Sequence, residues 1–387
     1  MKFKIAYCIP SLSNPSGMER VLTLKANFLA ETYGYDIYII LTEDRSQQPF
    51  FPLSPKVHLV YLDVKFCKDS QRNSFLKKIY TYTLAQKQFK QKLKEALLQI
   101  RPDICVSLLR REINFINSIN DGSIKIGEIH FSRGSYRNAP KGTMFVGKLI
   151  ANMWKRQLIR ELKKLKKFVV LTNEDKKLWP ELDNVVVIPN PLSFFPDATS
   201  DSDTCQALAV GRYEYQKGFD MLIPAWKQVI EKHPNWKLKI FGGGERGKYQ
   251  ELIDSLDMKE SCILEPTASD IVEKYLESSI FVLSSRFEGF GLVIIEAMAC
   301  GLPPVSFNCP CGPKDIIKDG VDGILVENGN IEQLAEKICY LIENEDVRKE
   351  MGKQARKNVE RFKIEIIAEQ WNQLFENLIT LRKFEQQ

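Results

Sequence analysis

The sequence predicts an α/β protein made of two doubly wound, Rossmann-like domains of parallel sheet. Three observations predict it. Short β-rich runs alternate with longer helical ones through the first half, the pattern of parallel strands joined by crossover helices. A polar, proline-marked passage then interrupts the chain, and a second alternating series begins beyond it. The length of 387 residues suits two cores of moderate size.

In the first half Phe3–Ile9, Asp36–Leu41, Val57–Leu62, Asp103–Leu108, Ile124–Ile129 and Phe168–Thr172 read as strands. Helical patterns at Met18–Glu31, Leu76–Ile100 and Val146–Lys167 lie between them. After Val185–Ile188, residues Pro189, Pro191 and Pro196 lead into ATSDSDT, Ala198–Thr204, the best linker candidate. The expected organisation is a first domain over 1–190, a linker over 191–204 and a second domain over 205–363. In that second domain Gln206–Val210, Leu238–Phe241, Cys262–Leu264, Phe281–Leu283 and Pro304–Phe307 read as strands, with a helix starting at Phe219. Helical segments follow at Ile331–Asn344 and Glu345–Phe362. The last one, Ile364–Lys383, sets Ile367, Trp371, Leu374, Leu378 and Leu381 at helical spacing.

Hydrophobic content of 44% and charged content of 27% are those of a soluble globular protein. No apolar run approaches the roughly 18 residues of a membrane span. MKFKIAYCIP has too short an apolar core for a signal peptide and reads as a first strand, so the expectation is a cytoplasmic protein. Nine scattered cysteines form no disulfide framework, and the Cys309-Pro-Cys311 pair lacks a second Cys/His pair at zinc spacing. The net charge of +6 hides an asymmetry. Residues 1–190 hold 32 Lys+Arg against 17 Asp+Glu, or +15, and residues 191–387 hold 23 against 32, or −9. Opposite signs suggest different partners for the two domains.

The chemistry concentrates in Ser284–Gly301, SSRFEGFGLVIIEAMACG. A buried-strand pattern ends here and a helix begins at Leu292, with Gly289 and Gly291 in the turn. A helix N-terminus at the carboxyl end of a strand offers N–H groups to an anion. Glu288 and Glu296 bracket that turn; a phosphate would repel them, so they suit hydroxyl groups instead. A phosphate centre with hydroxyls on both sides describes a nucleotide sugar. The bland alternative is a solvated helix glutamate and an ordinary glycine turn.

A second loop, GRYEYQKGFD (Gly211–Asp220), puts Arg212 and Lys217 between a strand and a helix, where two cations can neutralise a departing diphosphate. Asp220 reads as a helix cap. FGGGE, Phe241–Glu245, is a weaker signal for close backbone approach. The only Asp-x-Asp singled out, Asp201-Ser-Asp203, sits in the linker, so no metal is expected. In the first domain PSLSNPSGMER (Pro10–Arg20) lacks the full G-x-G-x-x-G fingerprint, which argues against an oxidoreductase. GEIHFSR ends a strand with His130, followed by Arg133.

The Glu288–Glu296 stretch, with CGLPPVSFNCPCGPKDIIKDGVDGILVENGN after it, resembles the retaining glycosyltransferases of family 4, which have the two-domain GT-B fold. That resemblance implies two domains facing a cleft, with the terminal helix, 364–387, returning to the first domain. It implies roles for Arg212 and Lys217 at the diphosphate with the N–H groups near Gly291 and Leu292. Glu296 would take the ribose hydroxyls, and Glu288 with the Gly289-Phe290 backbone the sugar hydroxyls. Pro10–Arg20 is similar to the family's Gly-Gly-x-Glu-Arg loop, with Ser16 in place of the first glycine, which leaves Gly17 as the donor contact. His130 matches the family histidine that faces the donor sugar, as a positioning or charge-stabilising residue, and Arg133 is the acceptor-side candidate. Retention comes from the family likeness. No carboxylate stands out as a nucleophile, which favours a front-face route assisted by the diphosphate. Asn308-Cys-Pro-Cys-Gly-Pro resembles members that use UDP-hexoses or their N-acetyl forms, and the likeness implies bacterial surface-polysaccharide synthesis.

Two basic amphipathic segments bear on the acceptor. Lys148, Lys155, Arg156, Arg160, Lys163, Lys164, Lys166 and Lys167 alternate with apolar residues in one, and Lys77, Lys78, Lys87, Lys90, Lys92 and Lys94 lie in the other. They read either as core-packed helices with a solvated face or as a surface docking peripherally on the inner face of an anionic membrane, toward a glycan or lipid-linked acceptor. No nucleic-acid module is recognisable. A non-catalytic nucleotide-sugar-binding protein and a GT-B-type epimerase remain the alternatives.

Overall fold

The computed structural model describes residues 2–42, 48–66, 75–133, 145–200, 202–268 and 270–385, with side chains at 75–79 and 145–150 outside that description. Asp201 and the side chains of Lys77, Lys78 and Lys148 therefore lie outside the described residues. The chain divides into two compact units. The first comprises Met1–Leu171, Lys176–Pro191 and Ile364–Gln387, and the second Thr172–Asp175 and Leu192–Lys363.

The first half runs β1 (Lys4–Ile9), α1 (Gly17–Thr32), β2 (Asp36–Leu41), β3 (Val57–Tyr61), α2 (Phe75–Ile100), β4 (Ile104–Ser107), β5 (Ile124–Glu128), α3 (Phe145–Lys164), β6 (Lys167–Val170), α4 (Asn173–Lys177) and β7 (Val185–Val187). Among the described residues its sheet has seven strands in the order β3-β2-β1-β4-β5-β6-β7, all parallel. β1 and β4 are wholly buried after Lys4, as apolar runs covered on both faces require. The predicted helix Val146–Lys167 is too long at its end. It stops at Lys164, because Lys166 N–H already bonds the Lys125 carbonyl of β5 and Lys167 opens β6.

The second half runs β8 (Gln206–Val210), α5 (Phe219–Lys232), β9 (Lys237–Phe241), α6 (Gly247–Ser255), β10 (Cys262–Glu265), α7 (Ile271–Leu276), β11 (Ile280–Leu283), α8 (Leu292–Ala299), β12 (Pro304–Phe307), α9 (Pro313–Ile316), β13 (Ile324–Val326), α10 (Ile331–Glu343), α11 (Glu345–Asn358) and α12 (Ile364–Glu385). Its six described strands, again parallel, are ordered β10-β9-β8-β11-β12-β13. Its core gathers Trp226, Phe219, Tyr249, Ile240 and Phe307.

In each sheet the strand order reverses beside the first strand, between β1 and β4 and between β8 and β11. Such a switch point splays the following loops apart and is where open α/β sheets bind ligands. The two loops singled out for donor chemistry leave β8 and β11, on either side of that reversal.

Helix α12 belongs to the first unit and packs on α1. It buries Ile367, Ala368, Trp371, Phe375, Leu378 and Ile379. Leu381 is exposed and Leu374 half-buried, so the inward stripe is rotated from the expected one toward Phe375 and Ile379. Both leucines fall just off the edge of a 3.6-residue face centred on Trp371 and Phe375.

Candidate active site

In the second unit the loop after β8 and the loop after β11 are joined along their length. Arg286 N–H donates to the Gln216 carbonyl at 2.8 Å, Gln216 Nε2 to the Phe287 carbonyl at 3.0 Å, and Ser284 Oγ to the Lys217 carbonyl at 2.8 Å. The contact needs a glycine at 218. There φ is +64°, and a Cβ would stand 2.1 Å from the Ser284 carbonyl oxygen.

Within this joint Lys217 Nζ lies 2.7 Å from Glu288 Oε1, and the same oxygen accepts from Ser285 Oγ at 2.6 Å. Both charged side chains are largely buried, so the pair is held in one arrangement with little water to screen it. Arg212 differs: its side chain is 68% exposed and pairs with Glu214, at 3.0 Å.

Gly291, with φ +99°, caps α8 and offers no side-chain acceptor to the first amides of the helix. Leu292 opens the helix, and the Phe290 ring turns inward against Phe362 at 5.5 Å, so only the backbone of Gly289-Phe290 is left for a ligand. Glu296 is buried, with Oε2 accepting from the Tyr275 hydroxyl at 3.3 Å. The fold thus assembles Arg212, Lys217, Glu288, Gly289, Phe290, Gly291, Leu292 and Glu296 from two adjacent loops and one helix.

Asp220 is not the helix cap. The cap is Gly218, and Asp220 takes a two-pronged bond from Arg286, at 2.8 and 2.6 Å. The guanidinium holds the Asp220 carboxyl below its ordinary range and stacks over the Tyr215 ring at 4.0 Å. Arg286 was missed from sequence although it lies two residues from Glu288; nothing in spacing alone pairs it with Asp220, 66 positions away. Cys309 and Cys311 are buried, and burial pushes both thiols up. Cys311 N–H donates to Glu174 Oε2 at 2.7 Å, while Asp315 accepts from the amides of Asn173 and Glu174. Among the described residues no group of three His, Cys, Asp or Glu side chains is placed to hold a metal ion.

In the first unit Gly17 is the first residue of α1, after the cap Ser16, whose Oγ bonds Glu19. Glu19 is buried, and burial raises its carboxyl. His130 follows β5, and its Nε2 stands 3.2 Å from Glu128 Oε1, an ion-pair separation without hydrogen-bond alignment. Glu128 Oε2 is 2.5 Å from Lys25 Nζ, and all three side chains are buried. Burial alone would raise Glu128; the Lys25 ammonium and His130 overcome it and hold the carboxyl at about 2. Sequence reasoning passed over Glu128 and Lys25, although a residue two before His130 on an extended segment shares its face. Arg133 is forked onto Glu181 at 2.7 Å by both amino groups and stacks on Trp179.

Residues 193–358 match the family "Glycosyl transferases group 1". The chain is 30% identical over 374 residues to an uncharacterized glycosyltransferase of Haemophilus influenzae, covering 95% of this chain and 98% of that one. It is 28% identical over 389 residues to the amylovoran biosynthesis glycosyltransferase AmsD of Erwinia amylovora, covering 96% and 99%. The structure also matches that of Anabaena HepE in complex with UDP and glucose, with a TM-score of 0.72 at 16% identity over 97% of this chain and 99% of that one. The fold is GT-B, and the chain belongs to the glycosyltransferases. AmsD acts in amylovoran biosynthesis by name.

Proposed function

We propose that the protein is a retaining, metal-independent transferase that moves a hexose or N-acetylhexosamine from a UDP-linked donor to a glycan or lipid-linked acceptor in surface-polysaccharide synthesis. The buried Lys217–Glu288 pair beside the glycine-capped start of α8 carries this reading. A departing diphosphate needs charge stabilisation that strengthens as the bond breaks. Lys217, Arg212 and the first amides of α8 supply it. As the diphosphate draws the Lys217 ammonium, Glu288 is released to accept from a sugar hydroxyl, and Glu296 accepts from the ribose. The bond from the anomeric carbon to the diphosphate oxygen breaks while the acceptor oxygen adds on the same face. The acceptor proton passes to the departing oxygen. His130 positions the sugar or stabilises charge there, Gly17 allows close donor approach, and Arg133 exchanges Glu181 for an acceptor anion. The UDP bound by HepE and the pathway in the name of AmsD support the donor and the setting.

A panel of nucleotide sugars tested for protection against thermal unfolding, followed by UDP release with and without a chelator, checks the proposal. A ligand present at 100 times its Kd stabilises by about 2.7 kcal/mol. The expected result is one protective UDP-sugar, turnover insensitive to the chelator and a product of unchanged anomeric configuration. Glu296→Ala should stay folded and lose turnover. Protection without turnover would mark a non-catalytic sensor, and conversion of the free UDP-sugar without acceptor an epimerase.

We also propose peripheral membrane binding through the first unit. No described helix is long and apolar enough to cross a membrane. Helices α2 and α3 instead expose Tyr80, Tyr82, Met153 and Trp154 beside Lys87, Lys90, Lys155, Arg156 and Arg160. Aromatic rings among cations suit a headgroup layer. Sedimentation should follow the anionic-lipid content of vesicles and reverse in high salt; binding indifferent to both would end the idea.

A further inference from the structure

The first unit carries a buried Lys25–Glu128 pair beside His130 that the transfer reaction does not use. Lys25 projects from α1 into the unit's interior with 1% of its side chain exposed. Its ammonium sits 3.9 Å over the Trp371 ring of α12, 5.2 Å from the Tyr7 ring of β1, and 2.5 Å from Glu128 Oε2. The other carboxylate oxygen of Glu128 faces His130 Nε2 at 3.2 Å. A buried ion pair is costly to desolvate and is often replaceable by apolar side chains without loss of stability. Stability alone therefore gives weak reason for a charged pair here. Its geometry does give one, because each carboxylate oxygen has a different partner and the second partner is the candidate site histidine.

We propose that Glu128 is a positioning residue for His130, holding a proton on Nε2 and fixing the ring, while Lys25 tempers the negative charge that the imidazole feels. A carboxylate oxygen 3.2 Å from Nε2 favours a proton on that nitrogen through its charge, without hydrogen-bond alignment. With Nε2 turned to Glu128, Nδ1 is the nitrogen that meets substrate. Among the described residues the charged and titratable groups around this pair include Lys25 and Glu19 from α1, Tyr7 from β1, and Arg110 from the loop after β4. Trp371 closes the set from α12 as an uncharged ring whose face favours the cation. The role in turnover rests on the donor-site reading of His130, but the pairing itself does not.

The chain has three histidines, so imidazole NMR resolves His130 against His58 and His233 in the full-length protein. Removing the neighbouring negative charge with Glu128→Gln should lower the His130 titration midpoint, with the other two unmoved. Because that variant strands the Lys25 charge, Lys25→Met with Glu128→Gln serves as the version that keeps the interior neutral. There too the midpoint should fall below wild type, since the carboxylate is the nearer of the two charges removed. In both, kcat with the protective UDP-sugar should fall on the order of 10-fold to 100-fold with KM for the donor nearly unchanged. Glu128→Asp, which keeps the charge, should recover the midpoint better than kcat. A His130 midpoint unchanged in the double variant overturns the pairing. A shifted midpoint with kcat unaffected overturns its role in turnover. A shifted midpoint in a protein that turns over no nucleotide sugar leaves the pairing standing and rejects the donor-site reading instead.

Discussion

At Glu128 two opposing effects act on one carboxylate. Burial disfavours its charge, and the Lys25 ammonium with His130 restores it, leaving the folded carboxyl at about 2 against an ordinary 4.5. A group depressed on folding contributes stability above its unfolded value and loses it as pH falls through the folded one. Acid titration from pH 4.5 toward 2 should therefore remove a contribution on the order of 3 kcal/mol, which the double Lys25/Glu128 variant should lack. Chemical denaturation at stepped pH checks it. At the donor site, Lys217→Ala leaves Glu288 buried without its cation and should cost about 3 kcal/mol or more. Adding Glu288→Ala should return the stability and not the turnover, separating what the pair does for folding from what it does for the sugar. The individual residues differed in how far sequence disclosed them. Glu288, Lys217 and Gly291 stood out because their loops follow apolar runs and carry charge beside glycine. Lys25 and Glu128 did not, because a lysine inside an amphipathic helix looks solvated until the helix that covers it is known.

The two donor loops behave as one element. Gly218 is pressed against the Ser284 carbonyl, so Gly218→Ala forces either the left-handed backbone or the loop joint to yield. The expected loss is more than about 1 kcal/mol, with a larger loss of donor protection in the thermal assay. Arg286 and Asp220 clamp the outer end of the same joint, and Asp220 is partly exposed, so their double-mutant coupling should be no more than about 1 kcal/mol. Alternating strand and helix signals were strong enough to find the longer elements within a few residues. The three-residue strand β13 and short helices such as α4 and α9 escaped because runs that short show no period. The clamp escaped because it is a pairing between loops, which periodicity does not encode.

On the scale of the whole molecule, the order of assembly matters. The seven-stranded unit is drawn from Met1–Leu171 and Lys176–Pro191 and again from Ile364 onward, with Tyr33 and Tyr35 bonded to Glu369 and Asn372 across more than 330 positions. A ribosome releases α1 long before it makes the helix that shelters Lys25. Until Trp371 arrives, the face of α1 that it covers stays bare. Chains stopped at Lys363 should bind a hydrophobic dye and fall quickly to protease within the first unit, while the six-stranded unit survives digestion. A peptide spanning Ile364–Glu385, supplied separately, should restore protease resistance, which makes the tail of this enzyme the timer for maturation of its head.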